Sequence, residues 1–260
     1  MRGMKNKKLK NVLSITGYLL LAFAICISAS IVFHNTYYEP VYVSGGSMSP
    51  TLKGSNMVTS SYGIDIEEEG SIVDFGIVDN HQSAINHIKR FDIVSTYYPN
   101  TDGYAKDYKA DGSLKATATK KIKRVIALPN ETFKIENGLL SVKENDEFKI
   151  IPNTFEIETT NAKDTATPIT LKENEYWVLG DNRANSTDCG SAIINRPIEK
   201  KNIAGVLVAI EGTAKLKLKR MVCANCGKTY DKGTNCSNCG GSLLPDYELV
   251  NKQYHWPKYF

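Results

Sequence analysis

Apolar and polar positions divide this chain into one long apolar run, a body of short alternating segments and a cysteine-rich end. The apolar run covers residues 12–33, and no Asp, Glu, Lys or Arg occurs between Lys10 and Glu39. A helix needs about 20 apolar residues to cross the hydrocarbon core of a bilayer. The pattern therefore predicts a transmembrane helix at residues 12–33, preceded by a short N-terminal segment at residues 1–11.

The charges on either side of this run predict its orientation. Several cations precede it, and the first Lys or Arg after it is Lys53. The preceding cations are Arg2, Lys5, Lys7, Lys8 and Lys10. By the positive-inside rule, the N-terminus is cytoplasmic and the chain after Phe33 lies outside. A cleaved signal peptide would place the small residues 28–30 before a cut. The apolar run continues beyond them, which favours a retained anchor.

After the anchor, helical periodicity is scarce and short β-rich segments separated by turn residues dominate residues 34–214. The predicted strands cover residues 92–98, 118–128, 132–135, 139–142, 176–179 and 205–210. The dipeptide Asn137-Gly138 predicts a two-residue hairpin turn, and residues 100–112 read as a polar loop. The fold class is therefore mainly β: an N-terminal transmembrane helix followed by an antiparallel β body.

The composition argues against one class of function. With 260 residues, the chain is long enough to bury a sizeable core and to include an accessory module. Its formal net charge is only +4, and much of the positive charge lies near the two ends. We therefore expect no nucleic-acid partner.

A candidate nucleophile lies shortly after the predicted helix. Residues 44–52 read Ser-Gly-Gly-Ser-Met-Ser-Pro-Thr-Leu, which places several hydroxyl groups on a glycine-containing turn. A serine hydroxyl is a weak nucleophile until a base removes its proton. The four histidines of the chain lie in no comparable motif, so we look for the base among the lysines.

Three lysines occupy an apolar β segment: Lys120, Lys121 and Lys123. A lysine amine serves as a base only when burial lowers its pKa from about 10.4 to roughly 7–8, which requires on the order of 4 kcal/mol. Strand alternation places Lys121 and Lys123 on one face and Lys120 on the other, so periodicity alone leaves the choice open.

Four blocks, in this order, resemble those of the type I signal peptidases. Residues 47–52 resemble the nucleophile motif S-M-x-P-T-L, and residues 92–94 resemble the block G-D-I-V. Residues 122–129 resemble the block that contains the base, and residues 180–188 match G-D-N-R-x-x-S-x-D. The resemblance covers about residues 10–212. It implies a membrane-bound serine endopeptidase that removes signal peptides from exported preproteins.

The resemblance also implies a role for each matching residue. Ser47 would be the nucleophile, Lys123 the general base, and Ser186 a residue that orients the lysine amine. The backbone N–H of Ser47 would help to hold the oxyanion, and no cofactor would be needed for catalysis. Structural residues near the site would be Asp181, Arg183 and Asp188. Substrates with small side chains before the cut would bind as extended strands along Val43, Ser44 and Gly45.

Five positions depart from the family pattern, two of them adjacent. Gly45 stands where some members have a hydroxyl that completes the oxyanion hole, so we expect a backbone donor or water there. Phe91 replaces a glycine before Asp92. Asn130 replaces a glycine after Leu-Pro, and asparagine tolerates the left-handed conformation. Cys189-Gly190 replaces a Ser-Arg pair, so the family's Asp–Arg salt bridge cannot form at this point.

The C-terminal end contains two C-x2-C pairs, each followed by a glycine. The pattern is typical of a zinc ribbon with four thiolate ligands, Cys223, Cys226, Cys236 and Cys239. We predict a linker at residues 215–222, the ribbon at residues 223–241 and a tail at residues 242–260. Outside the cell, two disulfides are an alternative, and an iron site has the same four-thiolate signature. We expect structural zinc; the partner of the ribbon is not indicated.

The resemblance predicts a bacterial cell membrane protein with one span, secreted preproteins as substrates and the bilayer as its surroundings. Two other functions fit parts of the sequence. A self-cleaving Ser-Lys protease would have a similar fold, but the anchor counts against it. A non-catalytic scaffold presenting the zinc ribbon would not need Ser47, Lys123 and Ser186 together.

Overall fold

The computed structural model divides into two compact units, residues 1–39 and residues 40–260. It describes residues 2–59, 65–100, 107–109, 111–114, 118–153, 155 and 161–260; side chains are described from residue 15 onward, except that of residue 161. Much of the polar loop predicted at residues 100–112 lies outside the described residues.

The first unit is the helix α1, Arg2–Tyr37. Within it, Ile15–Tyr37 has a mean hydropathy of 2.2 and no buried residues, so this part is long and apolar enough to cross a membrane. The helix continues four residues past the predicted end at Phe33. No proline interrupts it before Pro40, which lies in the first strand.

The second unit consists mainly of strands. They are β1 Tyr38–Tyr42, β2 Met57–Thr59, β3 Asp65–Glu67, β4 Ile72–Asp79, β5 Ile93–Thr96, β6 Lys121–Ala127, β7 Thr132–Glu136, β8 Leu139–Glu144, β9 Glu147–Ile150, β10 Ile169–Thr170, β11 Glu175–Leu179, β12 Ile198–Glu199, β13 Ile203–Cys223, β14 Thr229–Tyr230 and β15 Leu243–Tyr259. The only other α-helix in the described part is the short α2, Gln82–Asn86. The mainly β fold class is confirmed.

The main sheet has nine strands in the order β1-β4-β13-β5-β6-β11-β12, with β14 and β15 also paired to β13. Strand β13 is antiparallel to β4, β5, β14 and β15, and the pairs β5–β6, β6–β11 and β11–β12 are antiparallel as well, as predicted. Strand β6 lies between β5 and β11, so both of its backbone edges are hydrogen-bonded. A side chain on β6 is therefore held by a rigid central strand.

A second sheet has the order β10-β7-β8-β9. Its β7–β8 hairpin turns at Asn137 and Gly138, with φ angles of 52° and 74°. Two consecutive residues with positive φ are what the predicted two-residue turn requires. A third sheet consists of β2 and β3 alone.

Buried apolar side chains form two large clusters in this unit. The larger joins the two main sheets, with the rings of Phe133 and Trp177 centred 5.4 Å apart. The smaller joins Met48 and Leu52 to side chains of β4, β5 and β13. It therefore fixes the serine-containing turn at residues 44–52 against the main sheet.

The C-terminal region is organised differently from the sequence reading. Residues 215–222, read as a linker, continue strand β13, and most of the predicted tail forms β15, which pairs with β13 along most of its length. Lysines at 215, 217 and 219 alternate with Ala214, Leu216 and Leu218, and Ala214 and Leu216 are buried. This period-two alternation is a strand signal that the positive charge obscured.

The long antiparallel pair of strands β13 and β15 generates a first prediction. Leu216 is 1% exposed, whereas Leu244, also in this pair of strands, is 40% exposed. Replacement Leu216→Ala should reduce the free energy of unfolding by about 2–5 kcal/mol, because it removes buried methyl groups and leaves a cavity. The matched change Leu244→Ala should cost less than about 1 kcal/mol. Chemical denaturation of the full chain in detergent measures both; equal, small losses would restore the linker reading.

Candidate active site

Ser47 lies in the turn that follows β1. Its neighbours Met48 and Leu52 are each 1% exposed and serve as apolar anchors for the turn. Gly45 has a φ of 67° and donates its backbone N–H to Ser55 Oγ at 3.0 Å. Asn182 donates its backbone N–H to the carbonyl oxygen of Ser47 at 3.1 Å. The position of Ser47 is thus set from both sides.

Lys123 reaches this turn from the central strand β6. Its Nζ lies 2.7 Å from Ser47 Oγ and 2.9 Å from the carbonyl oxygen of Ile122. Lys123 and Ser47 are 76 residues apart in the sequence, so only the fold brings the two groups together. The lysine and the serine selected by the resemblance are therefore within direct hydrogen-bonding distance.

Burial changes the protonation of this amine. Lys123 is 4% exposed. Desolvation is the largest influence and lowers the pKa of Lys123 to about 8, because a buried site disfavours the ammonium form. Two carboxylates, Asp188 and Asp181, act in the opposite direction, while Lys121 and Lys163 reinforce the shift. A neutral amine at this position can accept the serine proton.

The next residue, Arg124, forms a buried ion pair. Its Nε and Nη2 donate to the two carboxylate oxygens of Asp181 at 2.8 and 2.6 Å. Its Nη1 donates to the carbonyl oxygen of Phe91 at 2.9 Å. This two-point contact satisfies the Asp181 carboxylate, which is fully buried.

Ser186 belongs to the family's last block, and its hydroxyl does not make the expected hydrogen bond to the Lys123 amine. Within the described part of the chain, the Ser186 hydroxyl is buried and has no hydrogen-bond partner. A Cβ on Gly180 would lie 2.2 Å from Ser186 Oγ and 2.4 Å from the carbonyl oxygen of Ser47. Gly180 therefore allows these two serines to approach each other. The base-orienting role of Ser186 stays a prediction.

The remaining predicted loop residues, Asp188 and Arg183, are both buried. Asp188 accepts backbone N–H groups from Gly180 at 2.9 Å and from Gly190 at 3.1 Å. Its ion pair is with Lys163 at 3.1 Å, a residue that the sequence reasoning missed. The Nε and Nη2 of Arg183 have no partner among the described residues, and burial lowers the pKa of this guanidinium.

Comparison with known protein families gives a match over most of the chain. A family model described as "Signal peptidase, peptidase S26" matches residues 15–210, most of the chain.

The chain belongs to the signal peptidase family, peptidase S26.

Relatives of known name support this assignment. Signal peptidase I U of Bacillus subtilis (strain 168) is 24% identical over 71% of this chain and 79% of its own length. Signal peptidase I P of Bacillus subtilis subsp. natto is 29% identical over 70% of this chain and 83% of its own length. A solved signal peptidase I from Enterococcus faecalis V583 aligns with 46% of this chain and 96% of that chain, at 22% identity and a TM-score of 0.30. The family model and the Bacillus relatives confirm the prediction of a serine hydrolase of this family.

The two positions where another residue replaces the glycine of the signal peptidase pattern both have positive φ. Phe91 and Asn130 have φ angles of 74° and 66°, in the left-handed region that favours glycine. Asn130 adopts the conformation that was expected to be tolerated there. Phe91 is the costlier replacement; its ring packs edge-on against Phe155, with centroids 5.1 Å apart, and this contact offsets part of the strain.

Part of the segment predicted to bind substrate already makes backbone hydrogen bonds within the chain. Val43 is buried, donates its N–H to the carbonyl oxygen of Asp74 at 2.9 Å and accepts from the N–H of Ser55 at 3.3 Å. Ser44 is exposed and Gly45 half-buried. Ser44 therefore offers the most accessible backbone of the three residues in this signal peptidase family member.

The four predicted metal ligands lie together at the far end of β13. The sulfur atoms of Cys223, Cys226, Cys236 and Cys239 are all within 4.8 Å of one another. Two pairs, Cys223 with Cys239 and Cys226 with Cys236, are 3.5 Å apart. Four sulfurs around a tetrahedral metal at about 2.3 Å would be about 3.8 Å apart. The cluster therefore fits a metal ion with four thiolate ligands.

The buried amine generates a second prediction. Because the folded pKa of Lys123 is about 8, below its ordinary 10.5, the folded state is penalised while the amine must be charged. The penalty is about 3 kcal/mol below pH 8 and disappears as the pH rises to about 10.5. The stability advantage of Lys123→Met over the unmodified chain should therefore shrink by about this amount over that range.

Denaturant unfolding at several pH values measures this difference. Loss of the two hydrogen bonds of the amine adds only a constant offset. Lys172→Met is the matched control, because the Lys172 side chain is 85% exposed and should give no such pH dependence. An unchanging difference between Lys123→Met and the unmodified chain would show that the amine titrates normally.

Proposed function

We propose that this chain is a membrane-anchored serine endopeptidase that removes N-terminal signal peptides from exported preproteins, with Ser47 as nucleophile and Lys123 as general base. The observation that supports it most directly is the 2.7 Å contact between Lys123 Nζ and Ser47 Oγ at a buried position. The relatives named signal peptidase I support the choice of substrate.

In the proposed reaction, the neutral amine of Lys123 takes the proton of the Ser47 hydroxyl as Oγ attacks the scissile carbonyl carbon. The resulting ammonium then gives this proton to the leaving amine of the substrate, and an acyl-enzyme forms on Ser47. Water, deprotonated by the same amine, hydrolyses the ester. The backbone N–H of Ser47 would hold the oxyanion, because a fixed donor stabilises the charge as it develops.

The helix α1 supports the anchoring part of the proposal. Its apolar span and the cations before it favour an N-terminus in the cytoplasm and a catalytic unit outside a bacterial cell membrane. The substrate would lie extended beside Ser44, with small side chains before the cut. Anchoring raises the effective concentration of substrates that arrive through the same membrane.

The third prediction tests the two catalytic residues. Ser47→Ala and Lys123→Met should each reduce preprotein cleavage by more than about 10³-fold, because neither residue works without its partner. With the unmodified chain, kcat/KM should rise about tenfold per pH unit below pH 8 and then level off, as Lys123 loses its proton.

Purified full-length protein in detergent, a preprotein substrate and quantified mature product provide the measurement. Lys172→Met, an exposed substitution, is the control and should cleave normally. Normal cleavage by Ser47→Ala or by Lys123→Met would contradict the assignment of these two residues as the catalytic pair. Cleavage of the chain itself, with none of the preprotein, would favour the self-cleaving alternative, and no cleavage of either would favour the scaffold.

We also propose that Cys223, Cys226, Cys236 and Cys239 bind one structural zinc ion. Their four sulfur atoms lie within 4.8 Å of one another. Four thiolates this close would repel one another, and a bound cation would remove that repulsion.

The fourth prediction is a metal content of one zinc per chain, with none in a Cys226→Ser and Cys239→Ser double variant. Elemental analysis of protein purified without reductant measures it, and thiol titration counts the free cysteines. Chelation should lower the melting temperature of the unmodified chain only. Iron in place of zinc, or oxidised cysteines without metal, would each overturn the zinc assignment.

A further inference from the structure

We propose that Lys163 is a positioning residue for the Ser47–Lys123 pair. It neutralises Asp188 and holds the loop of residues 180–190 against the serine-containing turn at residues 44–52, the nucleophile turn. The inference rests on the proposed function. Lys163 lies in a polar segment outside the four family-like blocks, and nothing in its sequence surroundings indicates a role at the site.

The contacts of Lys163 are those of a built site. The side chain is 7% exposed, and its Nζ donates to the carbonyl oxygen of Ser186 at 2.7 Å and to Asp188 Oδ1 at 3.1 Å. A Cβ on Gly190 would lie 3.0 Å from Lys163 Cδ and 3.2 Å from a methyl of Leu179. The glycine therefore leaves room for the lysine stem, at the position where the family pattern has an arginine.

From Asp188, the contacts continue to the nucleophile. The other carboxylate oxygen of Asp188 accepts the N–H of Gly180 at 2.9 Å. Gly180 packs so closely against the Ser47 carbonyl and Ser186 Oγ that no Cβ fits. A shift of Asp188 would therefore move Gly180, and with it the surface against which the nucleophile turn rests.

The charges around Lys123 add a second reason. Two buried carboxylates, Asp181 and Asp188, favour the ammonium form of this amine, and each has its own cation. Asp181 pairs with Arg124, and Asp188 pairs with Lys163. The positive charge of Lys121 also lowers the pKa of Lys123. An Asp188 carboxylate without Lys163 would act on Lys123 without an opposing cation in contact with it, and would favour the protonated form of the base.

Arg183 is the other cation close to these carboxylates. Asp181 and Asp188 both favour its charged form, yet its Nε and Nη2 make no hydrogen bond among the described residues. Arg183 therefore lies near the two carboxylates, but its Nε and Nη2 do not bond to them. Lys163 is the cation in contact with Asp188.

The fifth prediction concerns Lys163→Met, which keeps the length of the stem and removes the charge. We expect kcat/KM for a preprotein to fall about tenfold at pH 7 and to recover to within about threefold at pH 10, because the acid limb of the profile moves to higher pH. Lys163→Arg, which retains the charge, should keep most of the activity at pH 7, and Lys172→Met should leave the profile unchanged.

A second readout is independent of cleavage. The ¹³Cε resonance of Lys123 in lysine-labelled full chain, assigned by its absence in Lys123→Met, reports protonation of the amine directly. It should titrate at higher pH in Lys163→Met and at lower pH in Asp188→Asn. The double variant should return close to the unmodified value, because the two charges act through each other. The double variant also serves if Lys163→Met does not fold.

The outcomes separate the two proposals. If the unmodified chain cleaves no preprotein, the proposed function fails, while the titration of Lys123 still tests Lys163. An unchanged titration in Lys163→Met, or a uniform loss of activity at every pH, would reduce Lys163 to a structural lysine and overturn the inference. A double variant that keeps the raised titration of Lys163→Met would overturn it as well.

Discussion

The proposed active site depends on keeping water away from one amine, that of Lys123. Lys123 is placed on a central strand whose two edges are both paired, and its nitrogen ends against Ser47 beneath the nucleophile turn. Desolvation there destabilises the charged form of the amine by about 3 kcal/mol relative to an exposed lysine. That is a large fraction of the net stability of a typical domain. The extensive β sheet and its two apolar clusters supply the burial that offsets this cost.

The same burial makes nearby carboxylates consequential. Asp181 and Asp188 organise the loops around the site by accepting several N–H groups, so they cannot be replaced by apolar side chains without losing those contacts. In a low-dielectric interior, each would also stabilise a protonated base. Pairing them with Arg124 and Lys163 keeps their structural contacts and, in the proposed arrangement, limits their effect on the Lys123 amine. The family's arginine is absent after Asp188, and a lysine from a distant segment occupies the corresponding electrostatic position.

Strand β13 links the candidate active site to the cysteine cluster within the second unit. It pairs with β5 and β4 near the site, continues beside β15 and ends at Cys223, the first of the four clustered cysteines. The cysteine cluster has a core of only a few buried residues, so a bound metal would supply much of its stability. Since β15 begins shortly after the cluster, ordering at the cysteines would favour correct pairing of β15 with β13.

Short-range patterns in the sequence were sufficient for much of this protein. Apolar length predicted the helix, alternation and the Asn-Gly dipeptide predicted the strands and one hairpin, and four family-like blocks selected Ser47 and Lys123. Two cysteine pairs marked the four-sulfur cluster. Each of these signals lies within a few residues of the chain, where backbone period, turn chemistry and ligand spacing act.

Only the tertiary structure decided the rest. The cation for Asp188 is 25 residues away in a polar segment, and the continuation of β13 was hidden by exposed lysines that alternate with buried residues. Which ion pairs form, and whether an amine loses its water, depends on how segments distant in sequence pack together. No local pattern encodes that packing, because burial and charge neutralisation are properties of the assembled interior.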